Sequence, residues 1–258
     1  MISIPNVQDV DLTQFFTTLG LPNLVSEATT VSSNPNILIQ QGAYEPELDD
    51  LYVLYNLVTE YKRTTILEFG VGWSSLIFAL ALNKNKTNYE NKVKNLRRSN
   101  PFELHSIDNE ADFIAIAKDR IPHPLSSLCH FHYSNVNMTS FNGRYATEFE
   151  QLPLINPDFI YLDGPDQFNI KNNINGFTTA HNDMMPMSCD LLKIEHYLTP
   201  GTFIVADGRA ANARFLLSNF QRDWEYQYTD TDQHIFYLNE DPLGEINKNQ
   251  LNFYKSKN

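Results

Sequence analysis

With 258 residues, 42% of them apolar, the chain is long enough for one α/β domain with a peripheral segment and apolar enough for a full core, so disorder is excluded as the default. Lys and Arg number 19 against 31 Asp and Glu, a formal charge of −12, which argues against nonspecific nucleic-acid binding because that needs a basic footprint. The only cysteines, Cys129 and Cys189, are too few for a disulfide framework or a thiolate zinc site and fit a reducing compartment.

The first residues, Met1 to Phe16, carry no basic n-region and no apolar h-region, and no apolar run approaches membrane-spanning length. A cytoplasmic protein without a membrane partner is expected. Residues 1–46 read as an irregular cap or extension, rich in Asn, Thr, Ser and Pro, with a short strand at Ile37–Leu38–Ile39 and a turn at Gln40–Gln41–Gly42. From Glu47 the pattern turns helical. Leu51, Leu54, Tyr55, Val58 and Tyr61 fall on one helix face, either covering the sheet or edging a ligand cleft as a lid.

Ile66-Leu-Glu-Phe-Gly-Val-Gly-Trp-Ser-Ser75 follows, a short apolar run ending in a glycine turn that hands over to a helix. Ser74 can cap that helix, whose free N–H groups favour a polar or anionic ligand group. The helix is expected to reach about Leu82. Residues 83–100 hold Lys84, Lys86, Lys92, Lys94, Arg97 and Arg98 against the single acid Glu90 and read as a solvated basic insertion.

Phe102–Asp108 alternates as a second strand, Glu110–Ile121 is helical with Phe113, Ile116, Ala117 and Arg120 on one face, and Leu128–Ser134 reads as a third strand. Residues 139–156 look loop-like with a short helix around Tyr145–Gln151. Pro157–Asp163 is a strongly apolar strand, and the polar loop Gly164–Asn182 is too long to be idle in a compact domain. Helix Met187–Leu198, strand Thr202–Asp207, helix Arg209–Phe220 and a β-hairpin of Trp224–Thr229 with His234–Leu238 complete the pattern, leaving a polar tail after Asp241 that is expected to fray.

Alternating strands and helices give a parallel, doubly wound, Rossmann-like sheet, and ligands of such sheets bind beyond the strands' carboxyl ends. Glu68, Asp108, Ser134, Asp163 and Asp207 all stand at expected strand ends. An acid such as Asp108 can accept both hydroxyls of a ribose. The nicotinamide fingerprint wants a third glycine where Ser75 stands, and Glu68 would repel a pyrophosphate. S-adenosylmethionine, which carries a sulfonium and an α-ammonium beside the same ribose diol, suits that acid better than NAD.

Glu68-Phe-Gly-Val-Gly72, Asp108, Asp158-Phe-Ile-Tyr-Leu-Asp163 and the terminal hairpin together resemble the class I S-adenosylmethionine-dependent methyltransferases over roughly residues 50–240. The segments Asp163-Gly-Pro-Asp and Val205-Ala-Asp207-Gly-Arg also resemble a little-described bacterial subgroup. The resemblance implies a seven-stranded sheet of order 3-2-1-4-5-7-6 with the seventh strand antiparallel, spanning 47–258 behind the N-terminal helical cap. It further implies that Glu68, Gly70 and Gly72 line the methionine part of the cofactor; Ser74, at the helix start, and Asp163 are counted with the cofactor site from their positions. Asp108 would hold the ribose, Asn109 would lie beside the adenine, and Ser134, Asn135 and Val136 would contact the adenine edge.

Methyl transfer to a hydroxyl needs its proton removed by a base or a metal. Asp163 and Asp207 suit either role. In catechol-type relatives Mg²⁺ sits on two such acids and an Asn, and here Gly208 stands where the Asn belongs. His181, with Asp183 beside it, is a further candidate base. Arg209, Asn212 and Asp166 are substrate candidates, although Arg209 can instead pair with Asp163 or Asp207. His105, His130 and His132 fall within strands and read as structural. The expected activity is methyl transfer to a small polar, sugar-like acceptor. An NAD(P)-dependent oxidoreductase and a noncatalytic nucleotide-binding module are the alternatives.

Overall fold

The computed structural model describes residues 2–28 and 45–256, so the strand expected at Ile37–Leu38–Ile39 and the turn at Gln40–Gln41–Gly42 lie outside the described residues. Two short helices, α1 (Leu12–Thr18) and α2 (Pro22–Ala28), precede α3 (Leu48–Glu60). Phe15 of α1 meets Tyr52 and Tyr55 of α3 edge-on at 4.8 and 5.6 Å. The doubly wound part then runs through β1 (Thr65–Phe69), α4 (Trp73–Val93), β2 (Glu103–Asp108), α5 (Ala111–Arg120) and β3 (Cys129–Tyr133). A hairpin of β4 (Val136–Phe141) and β5 (Arg144–Phe149) comes next, followed by β6 (Phe159–Leu162), α6 (Asp190–Ile194), β7 (Phe203–Asp207) and α7 (Ala210–Leu217). The chain ends with β8 (Trp224–Tyr228), β9 (Gln233–Leu238) and α8 (Gly244–Lys255).

The main sheet has seven strands in the order β3-β2-β1-β6-β7-β9-β8. Pairing is parallel from β3 to β7, and β9 runs antiparallel to both β7 and β8. With the separate β4–β5 hairpin set aside, this is the order and the single reversed strand that the resemblance implies: the chain has the class I methyltransferase fold. β1, β6 and most of β7 are buried on both faces, as their unbroken apolar runs require. One face packs against α3 and α4 through Leu54, Val58, Ile77 and Phe78. The other packs against the hairpin, α6 and α7 through Ala146, Phe149, Leu191 and Leu216.

Three expectations are corrected. The segment 139–149 belongs to an antiparallel hairpin, β4 with β5, that turns at Asn142-Gly143, both with positive φ, and there is no helix around Tyr145–Gln151. The segment read as a basic insertion is largely helix, because α4 continues to Val93 with Asn85, Tyr89 and Val93 buried. The tail folds as α8, whose Leu251, Phe253 and Tyr254 close a third apolar cluster over Tyr89, Val93 and Phe102. No described helix is long and apolar enough to cross a membrane.

The end of the sheet opposite the strand carboxyl ends is locked by Asp158. Its carboxylate accepts from the Thr64 and Thr65 amides, the Thr64 hydroxyl and the Tyr254 hydroxyl, at 2.7 to 3.0 Å. The buried Arg63 lies over the Tyr254 ring at 4.1 Å and donates to the Gly201 carbonyl. This anchorage leaves the opposite rim free to carry polar groups.

Candidate active site

Strand order reverses between β1 and β6, where the two ends touch backbone to backbone. Gly70 has φ +87°, and a Cβ there would stand 2.8 Å from the Asp163 carbonyl carbon and the Gly164 nitrogen. Gly164 meets the Gly70 backbone as closely. These glycines serve the join between strands. Gly72 is different: a Cβ there would meet nothing within 4 Å, so its missing side chain leaves room in the cleft above.

That cleft, of about 400 Å³, opens over the carboxyl ends of β1, β2, β6 and β7, as expected of a doubly wound sheet. Its floor is Gly70 to Ser74, with Asp108, Tyr161, Asp163, Asp207 and Arg209 around it. Phe113, Ile116 and Arg120 of α5 form one wall, and Pro46, Glu47, Asp50 and Leu51 at the start of α3 form another. Gly164, Asp166, Gln167, Phe168 and Met185, flanking and within the long polar loop, complete the lining.

Glu68 lies under the turn and not in the cleft. It is fully buried and accepts hydrogen bonds from the hydroxyls of Ser74, Ser75 and Ser106, each at 2.6 Å. Burial lifts its pKa to about 7, against the pull of those three donors. The helix begins at Trp73, so Ser74 sits inside its first turn and ties it to β1 instead of capping it.

Asp108 reaches the cleft from the end of β2. Its Oδ2 accepts from the Val71 amide at 2.9 Å and its Oδ1 from the Glu110 amide at 2.8 Å, which fixes the carboxylate over the glycine turn. Desolvation raises it to about 7. Asn109 points elsewhere: it clasps the loop through the Asp166 amide and the Asp166 and Asn169 carbonyls. Asp166 in turn caps the Phe168 and Asn169 amides.

Asp207 accepts from the Tyr161 hydroxyl at 2.8 Å, and burial with the charge of Asp163 pushes it up to about 7. Asp163 stands at the mouth with 54% of its side chain open. The enclosing rim raises it to about 6 although the Arg209 guanidinium lies 3.6 Å away. Arg209 also donates to the Pro165 carbonyl, while its buried Nε and Nη1 have no hydrogen-bond partner among the described residues. Asp50 is pushed highest, to about 9, by burial, a hydrogen bond with Glu47 and the charge of Asp207.

No family model and no curated protein matches the sequence. Among solved structures, a methyltransferase from Geobacter sulfurreducens is 13% identical over 89% of this chain and 97% of that one, with a TM-score of 0.47. An O-methyltransferase from Bacillus cereus in complex with SAH is 14% identical over 89% and 97%, with a TM-score of 0.45. The O-methyltransferase TomG from Streptomyces achromogenes in complex with SAM is 13% identical over 90% and 100%, with a TM-score of 0.43.

Of the residues singled out from the sequence, Gly70, Gly72, Ser74, Asp108, Asp163, Asp166, Asp207 and Arg209 line the one cleft. The others do not. Ser134 and Asn135 bond to the Gln151 amide and to Glu150, Val136 is buried in the core beneath the hairpin, and Asn212 clasps the Ser188 backbone. His181 is exposed, with its Nδ1 3.9 Å from the open carboxylate of Asp183. Conversely, Asp50, Trp73, Phe113, Ile116 and Arg120 belong to the cleft. The apolar stripe of α5 lies along its wall, whereas no local pattern in α3 singled out Asp50. Arg120 lies 4.3 Å over the Trp73 ring, a stack that needs tertiary structure to appear.

Mg²⁺ keeps water ligands and can rest on two carboxylates. Here a guanidinium competes for Asp163, a phenol hydroxyl holds Asp207, and Gly208 adds no side-chain ligand. The S-adenosylmethionine fit is better: an open glycine edge, a carboxylate fixed beside it and an apolar wall at Phe113 and Ile116 lie in sequence along the cleft.

Proposed function

We propose that this chain is an S-adenosylmethionine-dependent methyltransferase whose acceptor is a hydroxyl of a small, neutral, polyhydroxyl compound. The observation that carries the reading is that the Gly72 opening, the backbone-fixed Asp108 and the raised pair Asp163 and Asp207 share one cleft. When bound, the cofactor supplies a methyl group on a cationic sulfur. Asp108 would accept from the ribose hydroxyls, Phe113 and Ile116 would flank the adenine, and the open edge at Gly72 would admit the methionine chain. Asp207, held by Tyr161, takes the acceptor's hydroxyl proton, a role that suits a carboxylate poised near neutral pH. Asp50, kept protonated near neutral pH, donates to an acceptor oxygen. Seven acids line the cleft (Glu45, Glu47, Asp50, Asp108, Asp163, Asp166 and Asp207) against Arg120 and Arg209, which favours a neutral sugar-like acceptor over an anionic one.

A thermal-shift experiment tests the cofactor. S-adenosylhomocysteine is expected to raise the melting temperature by mass action and NAD to leave it unchanged. Asp108→Ala is expected to abolish the rise. Protection by NAD alone would favour the oxidoreductase and overturn the reading.

A further inference from the structure

The three strand histidines set aside as structural meet Glu103 at the far edge of the sheet. Glu103 and His105 alternate along β2, and His130 stands opposite His105 in the β2–β3 register, so all three side chains leave the same face. Glu103 Oε2 lies 2.9 Å from His105 Nε2 and 3.6 Å from His130 Nε2. One ligand atom from each residue lies within 4.8 Å of the other two. The His105 ring stacks on His130 at 4.6 Å and on His132 at 5.4 Å.

We propose that Glu103, His105 and His130 form a binding site for a transition-metal dication of the Zn²⁺ type. Around a tetrahedral zinc with bonds of about 2.0–2.1 Å, neighbouring ligand atoms stand about 3.3–3.4 Å apart. The two separations at Glu103 Oε2 bracket that value, and the His105 and His130 rings, stacked at 4.6 Å with 24° between their planes, must turn for both Nε2 atoms to face one ion. Two imidazoles and a carboxylate make a borderline donor set that suits zinc better than Mg²⁺. His132 completes the arrangement from outside. Its Nε2 is 3.2 Å from His105 Nδ1; with an ion on His105 Nε2 in place of the hydrogen bond to Glu103, the Nδ1–H would donate to His132. His130, with 44% of its side chain exposed, gives the ion access and leaves a fourth position for water.

The site lies apart from the cleft. Glu103 begins β2 and Asp108 ends it, roughly 16 Å along an extended strand. The ion would therefore tie β3, which among the described strands pairs only with β2, to the body of the sheet without touching the cleft.

The test is a calorimetric titration of the chelator-treated, dialysed full chain with Zn²⁺, repeated with Co²⁺ to read the visible spectrum of a tetrahedral ion. The expected result is one saturable Zn²⁺ per chain, a higher melting temperature, and affinity lowered about ten-fold or more in both Glu103→Gln and His130→Ala. His181→Ala, on the exposed loop, should titrate as the wild type does. No saturable binding by the wild type, or an unchanged affinity in both ligand variants, would overturn the proposal. The wild-type titration decides independently of how the variants fold.

Discussion

At the scale of single residues, the two glycines of the turn do different work, and substitution separates them. Gly70→Ala forces a Cβ onto the Asp163–Gly164 backbone at a positive φ and is expected to cost about 2–4 kcal/mol in urea denaturation. The Cβ of Gly72→Ala meets no described protein atom within 4 Å, so the substitution should leave stability nearly unchanged while weakening S-adenosylhomocysteine at least about ten-fold, roughly 1.4 kcal/mol. Asp207→Asn keeps the shape and removes the proposed base, so kcat should fall by about 10²–10⁴-fold. In the wild type kcat/KM should rise with pH and level off above about 7, as Asp207 ionises. Full turnover by Asp207→Asn would remove Asp207 from the chemistry.

Glu68 gives a prediction of opposite sense, for stability. Its folded pKa of about 7 lies above the ordinary 4.5, so the folded chain binds the extra proton. The stability linked to it is complete below pH 4.5 and is lost as pH rises toward 7. The urea midpoint of the free protein should be higher at pH 5.5 than at pH 8, and Glu68→Gln should reduce the difference by its own share while the raised Asp50, Asp108, Asp163 and Asp207 keep the remainder. A midpoint that rises with pH would contradict this account.

At the scale of elements, the strands were legible because each is a short apolar run ending on a polar residue, and every expected strand of the main sheet is present. The β4–β5 hairpin was missed although Asn142-Gly143 is a strong turn signal; its strands carry polar and charged residues that mask the alternation. α8 was missed for another reason. Its sequence is polar, and the helix is stable because Leu251, Phe253 and Tyr254 find an apolar surface made by α4 and the start of β2. Tyr254→Phe removes one donor from Asp158 and is expected to cost about 1–2 kcal/mol in denaturant unfolding, with methyl transfer unchanged because the cleft lies at the other end of the sheet.

At the scale of the whole molecule, the cleft draws on α3, the glycine turn, β2, α5, the long loop and the end of β7, so no single segment specifies it. The competing guanidinium at Asp163 and the side-chain gap at Gly208 imply that turnover is unchanged by EDTA and gains nothing from added Mg²⁺. A rate lost to EDTA and restored by Mg²⁺ would reverse that reading. The remote position of the Glu103 cluster makes the same assay insensitive to zinc.

The sequence by itself determined the sheet and the polar rim, because burial on both faces of a parallel strand leaves an apolar run that ends where water or a ligand begins. It also marked Asp108, Asp163 and Asp207, since an acid closing such a run has few other uses. Only the tertiary structure decided which rim residues share the cleft. Glu68 drops beneath the turn to hold three serines, Asn109 and Asn212 turn aside to clasp backbone, and Asp50 arrives from a helix that is distant in sequence. Side-chain direction depends on the partners that packing supplies, and those partners come from segments too far along the chain for any local pattern to record.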